Sequence, residues 1–500
     1  MKKIFTVLFT LASFAAVAQQ NTLLNQSFWQ GTPSVEVVKA EIAKGNDPAQ
    51  FNANAMDPVV LAINSNAPLT SITYLLDLPG NDINKLTHDG RTYLHWAAMR
   101  GNAELIAYLL NKGAKTNIFD SHGSTPLLVA ASSAQQDTKL FDLFISHGVN
   151  LKSSLNQDGA NALLLAISSD KDFTLTNYFI SKGLDLKSVD AAGNNAFAYA
   201  AKSGNVELMK ATLAKGVQVS QQAMLMTAQG GGRRASGPTA GLPVYQYLES
   251  IGVKPLTTSK TGQNVLHYLV RKPEQAEVIK YFVDKGVDVN NADEDGLTPL
   301  MNAAAANREP AVFSLLLPKI KNINQATPQG QTALSIAVKS NSPEVISLLI
   351  NKGADVKVLD AKGNNLLFYA MEGYTTGRQA GANKLEELAA KLNLLKAQGL
   401  ALNAAQQNGN TLYHLAVAKN DLALLQHLQP LGIDINAKNQ EGISALHKAA
   451  MIAKDDVILK YLISIGAKKD IGTSFEETAY ELATANETLT KNKVSVDFLK

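Results

Sequence analysis

The chain has 500 residues, of which 46% are hydrophobic and 6% aromatic, and it carries 46 Lys and Arg against 43 Asp and Glu. The formal net charge of +3 is too small to predict a bulk attraction to nucleic acid or to an anionic membrane. Because the sequence contains no cysteine, disulfides, thiolate metal sites and a cysteine nucleophile are all excluded.

The first 18 residues have the pattern of a secretory signal peptide. Lys2 and Lys3 precede an uncharged, mostly apolar run over residues 4–16, and a small-x-small cleavage pattern ends at Ala18. The run is too short to span a bilayer comfortably, although a non-cleaved anchor is the alternative interpretation. We therefore expect a bacterial protein that is exported to the periplasm or the extracellular space and has no membrane span after cleavage.

The rest of the chain repeats a pattern that is centred on a turn glycine. Successive glycines are 33 to 36 residues apart, except for one interval of 69, which is two periods, and one of 46, which includes an insertion. Glycine supplies the positive φ that a tight turn requires. The ten glycines in phase are Gly90, Gly123, Gly159, Gly193, Gly262, Gly296, Gly330, Gly363, Gly409 and Gly442.

The residues that follow these glycines are also alike. In Thr125-Pro126-Leu127 a threonine that can cap a helix precedes a proline at the first helical position. A second amphipathic helix follows, as in residues 344–350, and it ends at a glycine such as Gly353 that serves as a left-handed C-cap. The pattern resembles the ankyrin repeat, which has a 33-residue period and the signature Thr-Pro-Leu-His-x-Ala.

This resemblance covers nearly all of the chain after the signal peptide. It implies an all-α repeat solenoid of about 13–14 ankyrin repeats, including a truncated first repeat and a closing repeat. We predict an array over residues 19–490, a polar tail over residues 491–500, and a first helix of the closing repeat over residues 473–483.

Two insertions interrupt the predicted array, near residues 229–242 and 372–384. Each is expected between the two helices of its own repeat, and the repeat that holds the first insertion also lacks its turn glycine. Both are rich in glycine and contain arginine, namely Arg233 and Arg234 in the first and Arg378 in the second. One interpretation is a pair of arms that contact a partner or an anionic group, and the other is tolerated loop growth.

The sequence carries no recognisable catalytic motif. It has no His-Glu-x-x-His, no Gly-x-Ser-x-Gly and no nucleotide-binding glycine pattern. The resemblance implies that the histidine at the signature position is structural and bonds to neighbouring backbone. His95, His267, His414 and His447 occupy that position. We therefore expect a protein that is not an enzyme and uses no metal or cofactor.

The resemblance also implies that a partner binds to a concave face made by turn tips and first helices. The residue directly after the signature position would face this groove, and it is aromatic in several repeats. These aromatic residues are Trp96, Tyr199, Tyr268 and Tyr369. Basic residues at the end of the first helix, including Arg100 and Arg271, add positive charge.

We predict that these aromatic and basic side chains bind a partner protein that presents acidic residues. The alternative is that the aromatic rings fill gaps between helices, while the bases only complement helix C-terminal dipoles. The leading functional prediction is a monomeric, extracytoplasmic module for protein–protein interaction without a nucleic-acid partner. A structural spacer or stabiliser of the cell envelope is the second interpretation, and an enzyme with an unrecognised site is a remote third.

Overall fold

The structure is a computed structural model that describes residues 21–230, 239–375 and 384–500. The predicted signal peptide and the three arginines of the insertions, Arg233, Arg234 and Arg378, lie outside the described residues. The described ranges contain 28 α-helices in 14 consecutive pairs, and the only β pairing in them consists of isolated bridges. This confirms the predicted all-α repeat solenoid and its number of repeats. No helix within these ranges is long and apolar enough to cross a membrane.

The chain divides into two compact units, Met1–Ser220 and Gln221–Lys500. The boundary coincides with the repeat that lacks its turn glycine. In the first unit the first helices of the pairs are α1 Gln26–Gln30, α3 Pro58–Asn64, α5 Tyr93–Arg100, α7 Pro126–Ser132, α9 Ala162–Ile167 and α11 Ala196–Lys202. The second helices are α2 Val35–Ala43, α4 Leu69–Leu76, α6 Ala103–Asn111, α8 Thr138–Ser146, α10 Thr174–Ser181 and α12 Val206–Ala214.

The second unit contains eight further pairs. Their first helices are α13 Ala223–Gln229, α15 Val265–Leu269, α17 Pro299–Ala306, α19 Ala333–Ser340, α21 Leu366–Gly373, α23 Leu412–Val417, α25 Ala445–Ile452 and α27 Ala479–Ala485. Their second helices are α14 Leu242–Ser250, α16 Ala276–Asp284, α18 Pro310–Leu316, α20 Pro343–Asn351, α22 Lys384–Ala397, α24 Leu422–Leu428, α26 Val457–Ser464 and α28 Glu487–Lys491. Short 3-10 helices lie at Thr22–Leu24, His88–Gly90, Leu317–Lys319, Gln429–Leu431 and Asp497–Leu499.

The first helices form where the sequence predicts them, because their caps are local. Thr298 Oγ1 accepts a hydrogen bond from Met301 N at 3.3 Å, and Pro299 occupies the first helical position. The small side chains of Ala303 and Ala304 are fully buried, which allows neighbouring first helices to approach closely. The core of each unit therefore runs along its stack of helix pairs.

Within the first unit, hairpin turns connect each pair to the next. The carboxylate of Asp120 accepts hydrogen bonds from the backbone N–H groups of His122 and Ser124, both at 3.0 Å, and so closes its own turn. Ser121 N then donates to Asp89 O of the preceding turn at 2.8 Å. Equivalent bonds join Gln157 to Gly123, so the turns of the first unit form a continuous backbone ladder.

The repeat that begins the second unit has no hairpin turn, as the missing glycine predicts. The chain enters α13 without this turn. The side chain of a glutamine instead makes the hydrogen bonds that connect this segment to the next repeat. Gln221 donates to Gly252 O at 3.0 Å and accepts from Lys254 N at 2.8 Å. Asn290 makes the same pair of bonds in a later repeat, to Lys319 O and from Lys321 N. The repeat therefore keeps its stacking contacts without its turn.

Both interruptions of the array lie between the two helices of one pair. α13 ends at Gln229 and α14 begins at Leu242, while α21 ends at Gly373 and α22 begins at Lys384. This is the position that the repeat register predicts for the insertions. α22 is the longest described helix, with 14 residues.

The closing repeat corrects one predicted boundary. Its first helix begins at Ala479 and not at residue 473, because residues 473–477 form another hairpin turn. Glu476 adopts the positive φ of 63° that glycine adopts in other repeats, so no glycine marks this turn in the sequence. The predicted polar tail is also packed: Leu499 is 1% exposed, and Lys469 Nζ donates to Phe498 O at 3.1 Å.

Candidate binding surfaces

Three of the four aromatic residues predicted to line the groove are interior side chains. Trp96, Tyr199 and Tyr369 are only 4%, 6% and 4% exposed. Each donates a hydrogen bond to the first residue of its own hairpin turn, nine positions earlier. The bonds run from Trp96 Nε1 to Thr87 Oγ1 at 2.8 Å, from Tyr199 Oη to Asp190 Oδ2 at 2.9 Å and from Tyr369 Oη to Asp360 Oδ2 at 2.9 Å. The rings therefore brace the turns against the first helices.

This arrangement corresponds to the alternative interpretation, in which the aromatic rings fill gaps. Burial and the hydrogen bond to Asp360 raise the pKa of Tyr369 to about 12, so its hydroxyl remains a donor at neutral pH. Tyr268 differs because it is half-buried and donates to Gln263, four residues after the start of its turn. The assignment of these residues to partner binding stays a prediction, and bracing of the turns is a role that the structure shows.

The signature histidines have the structural role that the resemblance implies. His95 is fully buried, its Nδ1 accepts from Thr92 N at 3.1 Å, and its Nε2 lies 3.2 Å from Ser124 O of the next repeat. The equivalent contacts to the following repeat are His267 to Leu297 O at 3.1 Å, His414 to Ile443 O at 2.8 Å and His447 to Ile471 O at 2.7 Å. Burial lowers the pKa of His95 to about 4, so the ring is neutral at pH 7.

The predicted basic residues lie at the ends of the first helices and are exposed. Arg100 donates to Asn64 Oδ1 of the preceding repeat at 3.1 Å, and Arg271 is exposed in the second unit. Two further bases near the ends of first helices, Lys339 of α19 and Lys419 after α23, each lie 3.9 Å from the carboxylate of Glu372. The positive charge of the groove is therefore partly neutralised within the chain.

An exposed row of apolar side chains lies along the hairpins of the first unit. Its members directly precede the first residue of each turn and are between 42% and 57% exposed. They are Phe51, Leu86, Phe119, Leu155 and Val189. We call these five residues the apolar row. Phe51 belongs to it because Asn52 N donates to Met56 O as Asp120 N donates to Ser124 O.

About half of each side chain in the apolar row is exposed, and the ring centre of Phe51 also lies 4.5 Å from the ammonium group of Lys85. Val189 forms an isolated antiparallel bridge with Asn195, which places the row on one arm of each hairpin. Backbone hydrogen bonds between successive turns join these arms along the unit, and stacked helices pack about 8–10 Å apart. Exposed apolar residues are normal singly, but a contiguous set is typical of an interaction site.

Sequence analysis alone missed this row, although a signal for it exists. Its members after Phe51 lie four residues before the turn glycines, where a hairpin arm should be polar. The same register in the second unit is mostly small or polar: Thr258, Ala292, Ala326, Leu359, Ala405 and Lys438. The row is therefore a property of the first unit and not of the repeat itself. Within the described ranges no cluster of three or more His, Asp or Glu side chains could hold a metal ion.

Comparisons with known proteins agree with this repeat architecture. The family profile "Ankyrin repeats (3 copies)" matches residues 59–152, 128–223, 241–326 and 302–394. Phosphocholine transferase AnkX of Legionella pneumophila is 30% identical over 123 residues, which cover 25% of this chain and 12% of that protein. Neurogenic locus notch homolog protein 1 of Homo sapiens is 30% identical over 210 residues, which cover 39% of this chain and 8% of that protein.

The matched part is thus a small share of each of these relatives. Among solved structures, the ankyrin repeat domain of Bcl-3 aligns with a TM-score of 0.35 and 23% identity, covering 45% of this chain and 95% of that domain. Ankyrin repeats are modules for protein–protein interaction. Since the family profile covers more than half of the sequence, the chain belongs to the ankyrin-repeat family.

Proposed function

We propose that the protein is an exported scaffold that binds another protein through the apolar row of its first unit. The row is the observation that carries the proposal. Five large apolar side chains stand half-exposed in successive repeats, on hairpin arms that the turn ladder holds rigid. A preorganised surface loses little conformational entropy when a partner binds, so its apolar area contributes to affinity.

The spacing of the row suggests the shape of its partner. A polyproline II segment places every third side chain on one face, about 9.3 Å apart, which matches the spacing of about 8–10 Å between stacked repeats. An extended segment with apolar residues at every third position would therefore contact successive members of the row. Lys85, whose ammonium group lies 4.5 Å from the ring centre of Phe51, already pairs with the buried carboxylate of Asp57 at 2.9 Å, so contact of the partner with the row would be mainly apolar.

Affinity capture from an envelope extract tests the binding surface. The full chain serves as bait beside a row variant, Phe119→Ser/Leu155→Ser, and a control variant, Val37→Ser/Ile180→Ser. The control residues are 46% and 39% exposed but lie on second helices, so they match the loss of apolar surface elsewhere in the same unit. We expect the row variant to lose at least about tenfold of the protein that the wild type enriches, whereas the control retains it.

Equal recovery with both variants would show that the row is not the binding surface. Circular dichroism establishes that both variants remain folded, and exposed positions of this kind change stability by less than about 0.5 kcal/mol. If recovery falls with neither variant but falls with Arg100→Gln, the basic helix ends become the better candidate. The experiment therefore distinguishes binding of the partner by the apolar row from binding by the basic residues of the first unit.

Export is supported by the N-terminal pattern alone. Lys2, Lys3 and the apolar run up to Ala18 have the organisation that the secretory machinery recognises. Cell fractionation followed by N-terminal sequencing tests this, and we expect a mature chain that begins at Gln19 in the periplasm or the medium. An intact N-terminus in the cytoplasmic fraction would contradict export while leaving the binding surface untouched.

A further inference from the structure

The second unit contains a cavity that is separate from the apolar row. Its volume is about 320 Å³, and it lies where α19 and α21 end and α22 begins. Small-molecule sites start at about this size. Its charged lining consists of Arg308, Lys339, Lys384, Lys391, Glu372 and Glu387. Tyr374 and Leu388 supply apolar walls.

Two departures from the repeat create this cavity. A Cβ atom on Gly373 would lie 1.9 Å from the carbonyl oxygen of Lys339, so only glycine lets the end of α21 approach α19 this closely. α22 has 14 residues, whereas α20 of the preceding pair has nine. The first two turns of α22 carry Lys384, Glu387 and Lys391, spaced so that all three line the cavity. A standard helix pair would lack this wall.

The cations of the cavity outnumber its carboxylates. Glu387 Oε1 is shared by Lys391 Nζ at 3.0 Å and Arg308 at 3.6 Å. Glu372 is shared by Lys339 and by Lys419 just outside the cavity, each at 3.9 Å. With four cationic and two anionic side chains, the lining has a formal charge of +2.

The excess positive charge of the lining is carried by Lys384 and Lys391. The ammonium group of Lys384 donates to the hydroxyl of Thr375, which brings no negative charge. Lys391 is 5% exposed, and its only ion-pair partner in the described ranges, Glu387, also pairs with Arg308. Burying a cation that shares its carboxylate with a second cation is unfavourable in free energy. A further anion in the cavity would reduce this unfavourable term.

We propose that this cavity binds a small dianion, either inorganic phosphate or a short dicarboxylate. Arg308, Lys339 and Lys384 supply the donors that contact it, and the guanidinium of Arg308 can make paired hydrogen bonds to either kind of oxygen group. Two negative charges match the formal charge of the lining, whereas a monoanion leaves half of it uncompensated. No partner protein is required, so the site is independent of the apolar row.

Isothermal titration calorimetry on the full chain tests the site. Phosphate and succinate are titrated at fixed ionic strength, and acetate serves as the monoanionic comparison. The cavity variant is Arg308→Gln/Lys384→Gln. The control variant, Lys319→Gln/Lys321→Gln, removes two exposed cations that follow α18 in the same unit. Both variants change the net charge equally, so a nonspecific charge effect would appear in both.

We expect one equivalent of phosphate or succinate to bind, at least tenfold more tightly than acetate. The cavity variant should weaken that binding at least tenfold, and the control should leave it unchanged. If the double variant unfolds, Lys384→Gln alone provides the comparison, because Lys384 is partly exposed. The absence of saturable binding by both dianions, or equal weakening in the cavity and control variants, would overturn the proposal.

Discussion

The buried signature histidine of α5 makes the first unit sensitive to acid. His95 Nδ1 accepts a hydrogen bond from Thr92 N, and Nε2 faces Ser124 O, so the neutral imidazole satisfies both neighbours. Protonation would place a second donor against the Thr92 N–H group. Burial is the main cause that lowers the pKa of His95 from 6.5 to about 4; the charge of Asp120 opposes this shift and that of Arg91 adds to it.

The direction of the pH effect follows from these values. The unfolded chain binds this proton below pH 6.5, whereas the folded chain binds it only near pH 4. The stability that neutral His95 contributes is therefore complete above pH 6.5 and is lost as the pH falls from 6.5 toward 4. The difference between the two pKa values corresponds to about 3 kcal/mol, which is a large share of the stability of a typical domain.

Urea unfolding at pH 7 and pH 4 measures this loss, with tryptophan fluorescence as the signal. Both tryptophans of the chain, Trp29 and Trp96, belong to the first unit, so the signal reports on that unit. Wild type should lose about 3 kcal/mol more than His95→Gln between the two pH values. The control His122→Gln, whose ring is 51% exposed, should behave like wild type. Equal losses in wild type and His95→Gln would refute the reasoning.

Two further substitutions test other parts of the structure. Gly373→Ala should destabilise the second unit by about 2–4 kcal/mol in thermal unfolding, because its Cβ meets the backbone of Lys339. Gly353→Ala, which has open space but a positive φ of 95°, should cost only about 1 kcal/mol, and equal effects would contradict the clash. Tyr199→Phe should cost about 1–2 kcal/mol by removing the bond to Asp190 while partner capture is retained. Lost capture at unchanged stability would instead place the Tyr199 hydroxyl in the interface.

The repeat architecture could be predicted from sequence because its determinants are local. A capping Thr298 before Pro299, and Gly353 at a helix end, act within a few residues and recur every 33 or so positions. The same reasoning failed at the closing repeat, where Glu476 adopts the turn conformation without being glycine. The periodicity of the sequence therefore located the helix pairs. It failed to locate the turn at which a non-glycine residue adopts a positive φ.

The orientation of the aromatic residues depended on tertiary contacts. Sequence register placed Trp96 and Tyr199 on the face of the groove, but hydrogen bonds to Thr87 and Asp190 turn both side chains inward against their own hairpins. These bonds form when the hairpin folds back on its own first helix, which the helical register alone does not describe. The apolar row, in contrast, was readable from the register of the turn glycines and was overlooked.

By itself, the sequence determined the repeat and its two interruptions, since spacing and residue type are sufficient for both. The resemblance to ankyrin repeats implied the structural role of the signature histidines. Only the tertiary structure showed which side chains remain accessible and how charges combine across repeats. Glu387 of α22 meets Arg308, which lies 79 positions earlier in the chain, and Gly373 lets the end of α21 approach α19 closely. Such a cavity depends on contacts between residues that are dozens of positions apart, which a repeat of 33 residues cannot encode.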